Sequence, residues 1–519
     1  MHMLRKLQLP ALALFLTCYA GCSPAGAPEV RQPNILMISI DDLNNWIEPL
    51  GGHPQAQTPN LTSFAQESVT FRRSYTVSPS CNPSRTALMT GKLPWESGLY
   101  NNGQNWRQIV GDEQVIPQYL QQQGYFTAGA GKIYHANMPD PQSWDDYYPN
   151  KIEQMPNYWL PVQDSVTGVK SFELTDNEIR EDFPVGVSIE MPPFKGMYLA
   201  FDFAPLPVET EQTGDYSSVE WISNQLQQKH DKPFFLVAGL YRPHLPWYAP
   251  QKYFDKYPLE DIQLPEVLDN DLDDVPALGQ NVARNRYHER VLESGNWKKA
   301  VQGYLASINY ADDLVGKLLN DLALSEYADN TIVVIFSDHG WQLGEKEHWR
   351  KFSLWEDVLN TVLMVKVPKG IPGLPEGSYS GGVSDKNVSL VDIFPTLTEL
   401  IGKEPKPGLS GHSLVPLLHE PNAEWTYPVV SSMDDDKFSV ISDRWHLIQY
   451  EPTSKDEPNQ YELYNLANDP DEWTNLASDA QYRSKIAELA SFIPTERKPN
   501  VKTEPFRWAD VLSGKITFK

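Results

Sequence analysis

Four short apolar runs, each breaking abruptly into reactive polar residues, most constrain the fold open to this chain. Ile35-Leu36-Met37-Ile38-Ser39-Ile40 ends in Asp41-Asp42, and Tyr125-Phe126-Thr127-Ala128 leads through Gly129 and Gly131 to Lys132 and His135. Phe234 to Leu240 ends in Arg242-Pro243-His244, and Thr331 to Phe336 ends in Ser337-Asp338-His339-Gly340. Runs that are apolar on both alternating faces suit strands covered on both sides, as in a parallel sheet. Helical patterns lie between them. Thr58-Pro59 caps a stretch carrying Leu61, Phe64 and Ala65, and Tyr304, Ile308, Ala311, Val315, Leu318 and Leu322 mark one face of a longer helix. Strand–helix alternation predicts an α/β sheet, whose ligands bind beyond the carboxyl ends of the strands. All four polar clusters fall at those ends.

The bulk numbers narrow the chemistry. A 519-residue chain with 40% hydrophobic content and 15 tryptophans is not disordered. Its 68 acidic against 43 basic residues give a net charge of −25, which excludes nonspecific attraction to nucleic acid or anionic lipid. An anionic substrate must therefore be drawn by a local positive site. Arg5 and Lys6, the apolar stretch Pro10 to Thr17 and the ending Tyr19-Ala20-Gly21-Cys22 read as an export signal over residues 1–22. The ending resembles the bacterial lipoprotein box, which implies cleavage before Cys22, a lipid on its sulfur and a place in the bacterial envelope; ordinary secretion is the alternative. Contact with the membrane is expected only through that lipid. Cys18 leaves with the signal and Cys22 becomes the terminus, so no disulfide framework is expected and Cys81 stands alone.

Cys81 opens the run Cys81-Asn82-Pro83-Ser84-Arg85-Thr86-Ala87-Leu88-Met89-Thr90-Gly91. Pro83 suits the first turn of a helix, and a helix start here would aim free N–H groups and the positive dipole end at the sulfur. Arg85 adds a permanent cation. Asp41, Asp42 and Asp338 supply hard oxygen donors with His339 beside them, and three converging carboxylates repel one another unless a cation sits among them. Such a set favours Ca²⁺ or Mg²⁺ over a structural zinc site, which uses more Cys and His. Lys132, His135, His244 and Lys351 provide cations and proton carriers. Gathered around one nucleophile, these groups would bind a tetrahedral oxyanion ester and stabilise the charge that grows as its bond breaks, so sulfate or phosphate ester hydrolysis follows.

With these residues assembled, the chain resembles the type I sulfatases, and among them the iduronate-2-sulfatase-like branch. Cys81-Asn82-Pro83-Ser84-Arg85 fits the family's Cys-x-Pro-Ser-Arg signal, whose cysteine a maturation enzyme converts to formylglycine (3-oxoalanine); Lys92 stands where that signal usually has Arg. Gly131-Lys132-Ile133-Tyr134-His135, Arg242-Pro243-His244-Leu245-Pro246, and Ser337 to Glu345 followed by Trp349-Arg350-Lys351 look like that branch in particular. The resemblance implies an alkaline-phosphatase-like α/β fold with a large, mostly parallel sheet sandwiched by helices. It also implies that Asp41, Asp42, Asp338, His339 and the modified Cys81 hold one Ca²⁺. Arg85 and Lys132 would steady the formylglycine, and Lys132, His244 and Lys351 would contact the substrate. His244, aided by Lys351, would protonate the departing alcohol, and His135 would take the proton that releases sulfate.

A catalytic domain is expected over 28–423 and a C-terminal α+β subdomain over 424–519. The segments Tyr427 to Ser432, Phe438 to Ser442, Trp445 to Tyr450 and Tyr461 to Leu466 read as an antiparallel sheet, closed by a helix near Gln481 to Phe492. His446 and Asp434-Asp435-Asp436 read as surface or rim residues. The reading that follows is a sulfatase acting on a sulfated carbohydrate such as ulvan, carrageenan or a glycosaminoglycan. Its rivals are a phosphomonoester or phosphonate hydrolase of the same fold, and a non-catalytic lipoprotein that binds sulfated glycans.

Overall fold

The strand-forming runs lie side by side. Among the described residues the main sheet has eight strands, in the order Gly382–Ser384, Val69–Phe71, Leu363–Lys366, Thr331–Ser337, Asn34–Ile40, Phe234–Leu240, Phe126–Gly131 and Asp146–Tyr148. The four runs singled out from sequence are the four consecutive strands from Thr331–Ser337 to Phe126–Gly131, all parallel. Leu363–Lys366 runs against both neighbours, so the sheet is mixed rather than purely parallel. The computed structural model describes residues 32–135, 140–149, 203–284 and 287–504; the expected export signal and Cys22 lie outside the described residues.

Every residue of the three innermost strands is buried, which explains their unbroken apolar runs. Leu36, Ile38 and Ile40 face one core, filled from the long helix Trp297–Ala323 by Tyr304, Ile308 and Leu318 and from Gly214–Leu226 by Val219 and Ile222. Ile35 and Met37 face the other, with Leu88 and Met89 of the helix Cys81–Thr90 and Phe394 and Leu397 of Ile393–Leu400. Burial of each such side chain contributes roughly 1.5–3 kcal/mol. Both faces are therefore covered, and only the strand ends are left to carry function.

The C-terminal sheet runs in the order Val429–Met433, Lys437–Ser442, Trp445–Tyr450, Gln460–Asn465, each strand antiparallel to the next. Phe438, Val440, Leu447 and Leu463 pack under Leu489 of the helix Arg483–Ala490. The opposite face sets Ile441 and Ile448 against Leu354, Trp355 and Leu359, which joins this sheet to the catalytic part. Among the described residues no helix is long and apolar enough to cross a membrane.

His446 departs from expectation. It is fully buried, with Nε2 2.7 Å from Ser439 Oγ and Nδ1 against the Glu472 carboxylate. The strand's alternation turns it inward, and the acidic partner makes burial of an imidazole tolerable. Asp434 to Asp436 do form the half-buried turn between the first two strands, with Asp434 at φ 56°. Burial opposes the charged imidazole of His446, but Glu472 outweighs it and raises the pKa. A raised folded pKa gives stability that is full below the unfolded value of about 6.5 and is lost as pH climbs through the folded value. His446→Gln should therefore lower thermal stability more at about pH 5.5 than at about pH 9, by roughly 3 kcal/mol at the acid end. An equal loss at both pH values, measured by calorimetry, would assign His446 a packing role alone.

Candidate active site

The sheet brings its reactive ends to one place because two glycines let neighbouring strands close. Gly131 has φ 77°, and a Cβ there would lie 2.0 Å from Gly239 O; a Cβ on Gly239 would lie 2.3 Å from the Lys132 carbonyl. The Lys132 N–H donates to Gly239 O at 2.9 Å, which fixes where its side chain starts.

Cys81 is the first residue of the helix Cys81–Thr90 and fully buried. The expectation of free amides at its sulfur is not met. Asn82 N–H donates to Asn102 Oδ1 at 2.9 Å, Ser84 N–H donates to Ser80 O at 3.1 Å, and Pro83 has no N–H. Side chains supply the positive charge instead. Lys351 Nζ lies 2.9 Å and Lys132 Nζ 3.6 Å from Cys81 Sγ, with His339 Nε2 at 3.4 Å. Burial disfavours a thiolate, but Lys132 and then Lys351 outweigh it and hold the thiol well below its ordinary range. His135 stands on the same sulfur as a hydrogen-bonding neighbour, and its buried Nδ1 has no partner among the described residues. Burial keeps its imidazole below the ordinary value.

Arg85 braces the floor beneath this group. Nε donates to Asp338 Oδ2 at 2.7 Å, Nη2 to Asp41 Oδ1 at 3.1 Å, and Nη1 to Ser39 Oγ and the carbonyls of Lys132 and Ile133. Asp41 also pairs with Lys132, and Asp42 Oδ1 accepts from Lys351 Nζ at 2.8 Å. Burial works against the Asp41 carboxylate, yet Lys132, His244 and Arg85 hold it well below the usual range. Asp42 is pushed up to about 7 by burial and by Asp41 beside it.

The donor set suits a hard cation. Asp41, Cys81, Asp338 and His339 each place one ligand atom within 4.8 Å of the others, and so do Asp41, Asp42, Cys81 and His244. Asp42 takes the left-handed φ of 61°, a strained conformation for a non-glycine residue, and its Oδ2 is buried without a hydrogen-bond partner among the described residues. A carboxylate oxygen without a hydrogen-bond partner at the meeting point of three Asp side chains fits a hard-cation ligand. His339 Nδ1 is 3.0 Å from Gly340 O, which leaves Nε2 turned towards the cluster.

His244 joins the same site, with Nε2 3.8 Å from Asp42 Oδ2. Burial, then Lys351 and Lys132, hold it well below the ordinary value. Its turn is set by a residue that sequence reasoning missed: Asp215 accepts from Tyr241 N at 2.8 Å and Arg242 N at 3.0 Å. Tyr304, read only as a core position, donates to Asp42 O at 2.8 Å. The first resembles an ordinary helix-start residue and the second an apolar-face residue, so neither carried a signal.

Residues 33–403 match the Sulfatase family, and residues 344–498 match the C-terminal region of N-sulphoglucosamine sulphohydrolase. The chain is 32% identical over 492 residues to a sulfatase of Formosa agariphila, spanning 92% of this chain and 90% of that protein. It is 29% identical over 433 residues to human iduronate 2-sulfatase, spanning 76% of this chain and 74% of the relative. An enzyme solved in complex with its substrate D-glucosamine-2-N,6-O-disulfate shares the fold at a TM-score of 0.66 and 21% identity, covering 89% of this chain and 96% of its own. With the Sulfatase family matched over residues 33–403 and a 32%-identical sulfatase aligned over 92% of this chain, the protein belongs to the type I sulfatase family and is a sulfuric ester hydrolase.

Proposed function

We propose that this enzyme removes O-sulfate groups from a sulfated carbohydrate, with residue 81 acting as formylglycine beside a Ca²⁺ ion. The carrying observation is the pair of buried ammonium groups, Lys351 and Lys132, 2.9 and 3.6 Å from Cys81 Sγ in a chain of net charge −25. Cys81 Sγ stands in for the oxygens that formylglycine would carry. When in place, that group's hydrated aldehyde supplies the attacking hydroxyl and the exit route for sulfate.

The chain's own side chains do the rest. Lys132 and Lys351 attract the ester's anionic oxygens and neutralise charge that grows on them. His244, flanked by Lys351, hands its proton to the departing sugar oxygen; His135 takes the proton whose removal releases sulfate. Asp41, Asp42, Asp338 and His339, with residue 81, would hold the cation, which supplies further positive charge to the sulfate; Mg²⁺ would meet the same oxygen donors. Arg85 keeps two of those carboxylates in place.

A sulfated carbohydrate is supported by two of the relatives, one named for iduronate 2-sulfate and one solved with a disulfated glucosamine. Cys81 is inaccessible in the folded chain, so a formylglycine-generating partner would act before the fold closes. Export, with a lipid on Cys22, would place the catalytic part (28–423) and its C-terminal subdomain (424–519) in the envelope, where such polymers are met.

The test is a panel of sulfated oligosaccharides from ulvan, carrageenan and glycosaminoglycans, run beside matched phosphate esters. Sulfate release from one of the glycans, lost on treatment with chelator and recovered with Ca²⁺, is the expected result. Preference for phosphate, or an intact Cys81 thiol in fully active protein by mass spectrometry, would overturn it.

A further inference from the structure

Lys351 reaches the nucleophile from a segment with an unusually strained backbone. Between Gly344 and Phe352, four non-glycine residues have left-handed backbones: Lys346 (φ 54°), Glu347 (48°), Arg350 (81°) and Phe352 (73°). Such conformations persist only where the surroundings over-determine them. The surroundings here are specific. Lys346 turns away from the site, with its side chain 2% exposed, and its ammonium donates to Asp271 Oδ1 at 2.6 Å and to the Glu472 carbonyl. The ring of Tyr464, on the last strand of the C-terminal sheet, lies 5.2 Å from the same nitrogen. Glu472 then grips the far side: its Oε2 accepts from Glu356 N at 2.8 Å, and its Oε1 meets His446. One residue of the C-terminal subdomain thus holds both feet of the segment, Lys346 before Lys351 and Glu356 after it.

We propose that Lys346 and Glu472 are positioning residues, a clamp by which the C-terminal subdomain sets the place of Lys351 at the reacting centre. An ammonium buried this deeply is retained only if its bonds are satisfied, so the clamp has one geometry. The Lys346 ammonium and the Glu472 carboxylate are both engaged by protein groups. The proposal rests on the sulfatase reading only in giving Lys351 its task.

Hydrogen exchange and kinetics test it together. In Lys346→Met, peptides covering 345–352 should exchange about tenfold faster while the sheet 429–465 is unchanged. Turnover of an aryl sulfate should fall roughly 10–10²-fold in kcat, with a smaller change in KM. Lys346→Arg, which keeps donors on a similar stem, should recover most of the loss. Glu472→Ala, which leaves the carbonyl and removes only the carboxylate, should show the same changes over 345–352 and in kcat more weakly, with faster exchange in the strand carrying His446 as well, and covers the case that Lys346→Met does not fold. Unchanged exchange over 345–352 overturns the clamp, as does faster exchange with unaltered kcat, or uniform loosening of the whole fold without rescue by Arg. A wild-type enzyme inactive on every sulfate ester would count against the proposed function, and the exchange measurement would still decide the clamp.

Discussion

Replacing Cys81 with alanine is expected to abolish sulfate-ester turnover, by about 10⁴-fold or more, while leaving the fold intact. Among the described residues the Cys81 sulfur lies within reach of both Lys132 and Lys351, whose ammonium groups also pair with Asp41 and Asp42. Alanine keeps the helix start and removes a single buried atom, so circular dichroism should match wild type. The measurement is sulfate release by ion chromatography over long incubation. Activity within tenfold of wild type would mean that the lysines and carboxylates act on an external water, and that residue 81 is structural.

The second large effect separates the two histidines. His244→Ala should slow hydrolysis by about 10²–10⁴-fold when the leaving group is a sugar alcohol, and far less when it is a nitrophenol that departs without a proton. His135→Ala should lower turnover with little dependence on the leaving group, because its proton moves after that bond has broken. His135 is a neighbour of the Cys81 sulfur, and His244 Nε2 lies 3.8 Å from Asp42 Oδ2. A leaving-group series on both variants is the check. Parallel losses for all esters in His244→Ala would remove it from the acid role.

The fold was legible because its signals are local. Unbroken apolar runs report burial on both faces, and all four runs identified in this way are central strands. Leu363–Lys366 was missed as a strand, being only four residues long and antiparallel. The candidate site residues were legible because they follow strand ends or a helix start, where the apolar pattern breaks. What each contacts was less so. Arg85, expected to steady the nucleophile, also spans two carboxylates, since its long stem carries the guanidinium to the strand ends. His446 seemed a surface group and proved buried, because only the fold reveals Glu472 opposite it.

The sequence by itself determined the four central strands, the family and the candidate reactive side chains, since strand period, turn chemistry and the Cys81 motif act over a few residues. Only the tertiary structure decided which charges face which. The pairing of Lys351 with Cys81 spans 270 positions, and the bond from Lys346 to Glu472 spans 126. Coulomb and hydrogen-bond energies depend on distances in space, which no local pattern along the chain encodes.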